Sequence, residues 1–287
     1  MRKVWRKTIS ILGVAILGVS TLVGCGKQET LGVDKDGFTV VKVGVVGEYN
    51  QQWDTVNELL KEEKIKVELV KFSDYAAPNR ALADGEIDLN AFQHKAFLEN
   101  DVEQKGYQIE AIGDTVIAPL SIYNNKEKIQ SVDDIKDGDV ILIPSDLTNG
   151  GRALKLLEAA GLIECDPAKE YIPTKADITK YHVKIEVKEA ESATLAKLLP
   201  DCTAALINGG NAFTAGLDPQ VDSIYTEDVN PETNQAVERL VNVIVARSEE
   251  KDNEIYKKVV EAYQTDEVKK TVEEVYHGAF TCTWELG

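Results

Sequence analysis

The chain has 287 residues, 32 of them basic and 49 acidic, for a net charge of −17. Arg2, Lys3, Arg6 and Lys7 all fall in the first 24 residues, which hold no acid, so the remainder sets 28 basic against 49 acidic residues, a balance of −21. Such a body repels nucleic-acid phosphates and anionic lipid surfaces, both of which are held through Lys and Arg clusters, and 43% hydrophobic residues with only 8 prolines argue against disorder.

Residues 1–24 have the grammar of a secretory signal peptide: a basic head, an apolar stretch from Ile9 to Val23, and a small-residue end. The apolar stretch is 15 residues long, short of the ~20 that a membrane-spanning helix needs. Leu22-Val23-Gly24-Cys25 resembles the bacterial lipobox, which makes Cys25 the expected lipidation site and residues 25–37 a lipidated Cys and tether. Acyl chains there, palmitate among them, contribute about 0.8 kcal/mol per buried CH₂. The expected location is the extracytoplasmic face of the cell membrane. An ordinary signal peptide or a short anchor helix is the alternative reading.

From residue 39 the pattern alternates between strand and helix. Residues 39–46 form a β-branched run, and Trp53, Val56, Leu59 and Leu60 recur at helical spacing. Residues 65–70 alternate strictly. A short helix near 78–82 stops at Asp84-Gly85, residues 87–92 predict a third strand, and the helix over 95–104 ends at Gly106. A second set begins near 119. It has a strand over 140–143, an amphipathic helix over 149–160, alternation over 183–187, a helix over 192–199 and a strand over 204–207. One more strand, 241–246, precedes two helices that run to Tyr276. The βαβ order predicts an α/β protein of two lobes, each a mainly parallel sheet flanked by helices. The expected lobes are 38–118 plus 228–287, and 119–227.

Several chemistries lack support. His94, His182 and His277 are far apart and form no metal-binding pair. No phosphate-cradling glycine motif and no nucleophile elbow is present. Cys165, Cys202 and Cys282 allow at most one disulfide among themselves and read equally as small buried hydrophobes. No metal, no cofactor and no nucleic-acid partner is expected, and the chain reads as a binding protein rather than an enzyme.

Three segments are specific: Phe72-Ser73-Asp74-Tyr75-Ala76-Ala77-Pro78-Asn79 with Asn90-Ala91-Phe92-Gln93-His94-Lys95; Ile143-Pro144-Ser145-Asp146-Leu147-Thr148-Asn149-Gly150-Gly151-Arg152; and Ala205-Leu206-Ile207-Asn208-Gly209-Gly210-Asn211-Ala212. With the lipobox, they resemble the NlpA family of methionine-binding lipoproteins over roughly residues 38–280. The resemblance implies a type II-like periplasmic-binding-protein fold with the ligand in the interlobe cleft. It also implies the substrate-binding role in an ABC importer of L-methionine, with a permease and ATPase complex as partners.

The residues suit a zwitterionic ligand. Arg152, placed in the first turn of its predicted helix, offers a carboxylate two parallel charge-assisted hydrogen bonds, aided by the N–H groups and dipole of the helix start. Gly150 and Gly151 allow close backbone approach. Asn208, at the end of an apolar strand, is placed to accept from an ammonium and donate to a carboxylate. Asn242, read as lying inside a strand, carries the family's second polar contact. The resemblance makes Tyr75, Phe92, His94 and Phe97 the pocket for the thioether, which aromatic faces suit. Taken alone, Arg152 reads as a surface residue of a capped helix, His94 as a satisfied core histidine, and Phe92 and Phe97 as plain core.

Departures from the family pattern sit in the loop Glu48-Tyr49-Asn50-Gln51-Gln52-Trp53, where Glu48 and Trp53 are expected to reshape the site. Others are Phe97, where many members have Tyr; Leu147, a frequent Pro; and Asn211, a frequent Tyr. Another amino acid or a methionine-containing dipeptide is therefore the alternative ligand. A lipid-anchored enzyme on the same fold is the alternative from another class.

Overall fold

The computed structural model describes residues 31–284 apart from residue 235. The leader, the lipidation site at Cys25 and the first part of the tether lie outside the described residues. Among the described residues, no helix is long and apolar enough to cross a membrane.

The first run of elements is β1 (Thr39–Val46), α1 (Gln52–Leu60), β2 (Ile65–Phe72), α2 (Pro78–Ala83), β3 (Leu89–His94), α3 (Lys95–Lys105) and β4 (Ile109–Asp114). The β-branched run of β1 encloses Val41, Val43 and Val45 fully on one face, while Lys42 on the other is exposed. Gly106 closes α3 in the left-handed conformation, φ 72°, as its position predicts. The third strand is displaced from the expected 87–92 to Leu89–His94. The apolar run marks which side chains are buried, whereas the strand ends where its partner does, with His94 opposite Asn242.

The chain then crosses, through β5 (Val116–Ile117), into β6 (Leu120–Asn124), β7 (Val140–Pro144), α4 (Leu147–Ala159), β8 (Ile163–Cys165), β9 (Ile178–Tyr181), β10 (Glu186–Ala190), α5 (Leu195–Leu198), β11 (Ala204–Asn208), α6 (Gly209–Thr214), α7 (Pro219–Asp222) and β12 (Ser223–Thr226). It returns as α8 (Val237–Leu240), β13 (Asn242–Arg247), α9 (Glu254–Tyr263), α10 (Asp266–Val275) and β14 (Thr281–Cys282).

Two five-stranded sheets result, ordered β2-β1-β3-β13-β4 and β10-β7-β11-β6-β12. Each is parallel over its first three strands and antiparallel over its last two. The antiparallel sides arise at the crossings. β6 enters the second sheet, and β13 re-enters the first, from the opposite end to the βαβ strands. Each sheet has its own core. In the first, Trp53 on α1 packs at a tilt 5.0 Å from Tyr263 on α9, and Thr55 bonds Thr271 on α10 at 2.8 Å. In the second, Leu154 and Leu157 of α4 pack with Ile141 and Ile143 of β7. Cys165, Cys202 and Cys282 are buried, and burial pushes the Cys202 thiol up to about 11.

Candidate functional site

All seven residues singled out in the sequence (Tyr75, Phe92, His94, Phe97, Arg152, Asn208 and Asn242) line one cavity between the ends of the two sheets. Its volume is about 100 Å³, room for one small ligand rather than a drug-sized or polymeric one. Val46, Tyr75, Phe97 and Asn211 also line a broader outer space of about 870 Å³.

The aromatic wall comes from the first sheet. Tyr75 follows β2, Phe92 and His94 share one face of β3, and Phe97 sits in the first turn of α3. Phe92 and Phe97 meet edge-on at 5.9 Å, and Tyr75 lies 6.0 Å from Phe92 and 6.1 Å from Phe97. His94 caps α3: its Nδ1 accepts from the Phe97 N–H at 3.1 Å. The ring proton therefore sits on Nε2, which donates to Asn149 Oδ1 at 3.3 Å. Burial first, and then the charge of Arg152, pulls the imidazole down to about 3, so it is neutral. Burial, with the charge of Asp146 behind it, likewise keeps the Tyr75 phenol protonated well above its usual range.

The polar wall comes from the second sheet, and here three expectations change. Helix α4 begins at Leu147, not Asn149, because the Asp146 side chain caps it by accepting from the Asn149 N–H at 2.9 Å. Arg152 thus lies in the second turn. The helix start serves its own cap rather than a ligand. Gly150 and Gly151 admit neighbouring backbone: a Cβ on them would meet Pro144 O at 2.9 Å and Ile172 Cα at 2.8 Å.

The two-bond carboxylate grip of Arg152 is made within the protein. Its Nε lies 2.8 and 3.0 Å from the two oxygens of Glu227. Its Nη2 bonds Glu227 Oε2 and donates to Ala118 O at 2.9 Å. Only Nη1 has no protein acceptor among the described residues. Asn208, the last residue of β11, spends its amide on Asn149 Oδ1 at 2.7 Å. Asn149, also tied to Asp146 at 3.0 and 3.2 Å, is the hub that joins His94 to Asn208. Asn242 is the first residue of β13 rather than an interior one; its half-buried side chain faces the cavity beside His94.

Three buried polar atoms on the cavity residues lack a partner among the described residues: Asn208 Oδ1, Gln52 Oε1 and Asn211 Nδ2. Their residues are 8%, 7% and 9% exposed. The loop before α1 reaches the cavity through Tyr49 and Asn50, and α1 through its first residue, Gln52, whereas Trp53 is in the core and the Glu48 carboxylate pairs with Lys71 at 2.5 Å outside it. Sequence reasoning missed Glu227, Asn149, Gln52 and the polarity of Asn211. Asn149 lay within a quoted segment, Gln52 and Asn211 were visible as departures, and Glu227 had no local signal.

Two lobes with a cavity where the strands end define a solute-binding protein of the periplasmic-binding-protein type. The chain belongs to the NlpA lipoprotein family, whose profile matches residues 41–284. It is 38% identical over 282 residues to the D-methionine-binding lipoprotein MetQ of Salmonella typhi, a match that covers 97% of this chain and 98% of that protein. It is similar to the substrate-binding protein of a methionine transporter from Streptococcus pneumoniae, with 36% identity, a TM-score of 0.79, and coverage of 86% of this chain and 96% of that one. It is also similar to a nutrient-binding protein from Burkholderia cenocepacia in a structure bound to methionine, with 34% identity, a TM-score of 0.79, and coverage of 85% and 100%.

Proposed function

We propose that the chain is the substrate-binding component of an ABC importer and captures methionine in the cavity between lobes 38–118 plus 228–287 and 119–227. In this reading it is held at the extracytoplasmic face of the membrane by lipid on Cys25, hands its ligand to a permease, and performs no covalent chemistry. The observation that carries the proposal is the pairing of an aromatic cage with amino-acid-binding groups in one small cavity. The thioether lies against Tyr75, Phe92 and Phe97, with about 0.3–1.5 kcal/mol per sulfur–aromatic contact. Arg152 Nη1 donates to the carboxylate, and Asn208 Oδ1 accepts from the ammonium. Asn242 borders the ligand from the first sheet. The names of the relatives support methionine as the ligand, and their D-methionine label makes both enantiomers worth testing.

The test is calorimetric titration of L- and D-methionine into residues 27–287, unfolded and refolded first to strip carried-over ligand. One-to-one binding at micromolar affinity or tighter is expected; no heat from folded protein sinks the proposal. A different neutral amino acid is the second reading, favoured by the unpaired atoms of Gln52 and Asn211. Competition between amino acids in one titration separates the two.

A further inference from the structure

We infer that Glu227 sets the charge class of the ligand: by neutralising Arg152 it makes the cavity select a zwitterion over an anion of the same shape. The inference rests on the amino-acid-binding reading above and adds a residue and a rule of selection to it.

Among the described residues that line the cavity, Arg152 alone carries a formal charge at neutral pH, since His94 is buried as the neutral imidazole. The Arg152 side chain is 6% exposed and that of Glu227 11%, so water screens the pair little. Glu227 is fixed from behind: its Oε2 accepts from the Leu120 N–H at 3.2 Å, and its own N–H donates to Leu120 O at 3.0 Å. Arg152 is held at the same crossing by Ala118 O. The guanidinium therefore meets a ligand as half of an ion pair of zero net charge. Asp146 and Glu191 add negative potential at the Tyr75 side, and Arg239 adds positive potential at the His94 side.

Such a site gains little from a bare anion. A carboxylate reaching Nη1 also approaches the Glu227 carboxylate, and the repulsion is offset only if the ligand brings its own cation. The unpaired acceptors Asn208 Oδ1 and Gln52 Oε1 are suited to receive that cation's N–H groups. A ligand without them leaves both oxygens buried and unpaired. Glu227 touches no ligand in this arrangement; it is a positioning residue that acts through Arg152.

The experiment is titration of methionine and of its 2-hydroxy analogue, an anion lacking the ammonium, into residues 27–287 with the native sequence and with Glu227→Gln and Glu227→Asp. The native chain is expected to prefer methionine by at least about 100-fold. Glu227→Gln keeps the shape but leaves Arg152 unneutralised, and should lower that preference at least about tenfold. Glu227→Asp keeps the charge and should hold the preference within about threefold of native. A purely structural role would weaken both ligands together and leave their ratio alone. Methionine binding with an unmoved ratio in folded Glu227→Gln overturns the inference. Absence of methionine binding by the native chain overturns the function proposed above instead. If Glu227→Gln does not fold, Glu227→Met takes its place with the same reading of the ratio, and a native chain that binds the 2-hydroxy analogue within about threefold of methionine overturns the inference in either case.

Discussion

Two buried polar clusters begin within five residues of each other on β3 and are built to opposite rules. In the first, Asn79, Asn90, Gln93 and Asp101 bond one another, with Gln93 also at the cavity wall. Asn79 Nδ2 donates to Gln93 at 2.7 Å and to Asp101 at 3.0 Å. Its oxygen accepts from Asn90 at 3.0 Å and from Gln93 at 2.5 Å, while Asp101 takes Lys105 at 2.9 Å. In the second, His94, Asn208 and Asp146 are joined through Asn149, the Arg152–Glu227 pair stands apart from them, and the cavity wall carries polar atoms with no partner among the described residues. A cluster that satisfies itself stabilises the fold; one that leaves donors and acceptors pointing into a cavity is made for a guest. The sign of the stability change on deleting a member should therefore differ between the two.

The closed cluster gives the largest expected effect. Asn79→Ala leaves Asn90, Gln93 and Asp101, each nearly fully buried, without their shared partner. Unfolding by urea should show a loss of about 3 kcal/mol or more. A loss below about 1 kcal/mol would mean that the cluster is not the sealed unit its distances describe.

His94 gives the next effect, through pH. Its folded value of about 3 lies below the ordinary 6.5, so between these limits the unfolded chain takes up a proton that the folded one refuses. The stabilisation from the neutral ring is complete above 6.5 and is lost as the pH falls through 6.5 toward 3, at up to about 1.4 kcal/mol per pH unit. A His94→Gln variant keeps a donor toward Asn149 and should lose this part of the slope. Urea unfolding of both proteins from pH 7 to pH 4.5 isolates it, since the carboxylates they share cancel in the difference. Parallel pH curves would place the ring in contact with water.

The open network predicts a change of the other sign. Gln52 Oε1 is buried and unpartnered among the described residues, so Gln52→Leu removes a desolvated acceptor at nearly constant volume, and the loss of its contacts with the Tyr263 and Tyr276 hydroxyls holds the gain in stability below about 1 kcal/mol. The same change should weaken methionine binding, since the ligand loses a polar contact. Thermal melts and titration on one sample test both halves. A stability loss would assign Gln52 to the closed kind of cluster.

How much of this was legible beforehand follows from the range of the interactions. The strands and helices follow from residues within a few positions of each other, which is why Gly106 as a stop and the β1 run were readable. Tyr75, Phe92, His94, Arg152 and Asn208 were reached through motif segments, which bring their own side chains along, and Phe97 and Asn242 through the family resemblance. The partner of Arg152 was not readable, because Glu227 lies 75 residues downstream in a segment without local pattern, and only the return of the chain at the lobe crossing brings it there. The same range explains the shifted starts. Asp146 caps α4 and Asn242 opens β13 because of backbone bonds that an apolar pattern does not encode.

The smallest effect separates the loop before α1 into the part that faces the cavity and the part that does not. Glu48 differs from Gln52 by four positions but sits outside, where its carboxylate meets Lys71 with both side chains largely in water. An exposed pair of this kind contributes between about 0 and 1 kcal/mol. Glu48→Ala should therefore change stability by less than about 0.5 kcal/mol and methionine affinity by less than about threefold, with any change shrinking further in added salt. A larger loss of affinity that salt does not reduce would extend the recognition surface past Tyr75 and Phe97 into the outer space. The loop's selectivity would then have to be assigned to its charge as well as to the amide of Gln52.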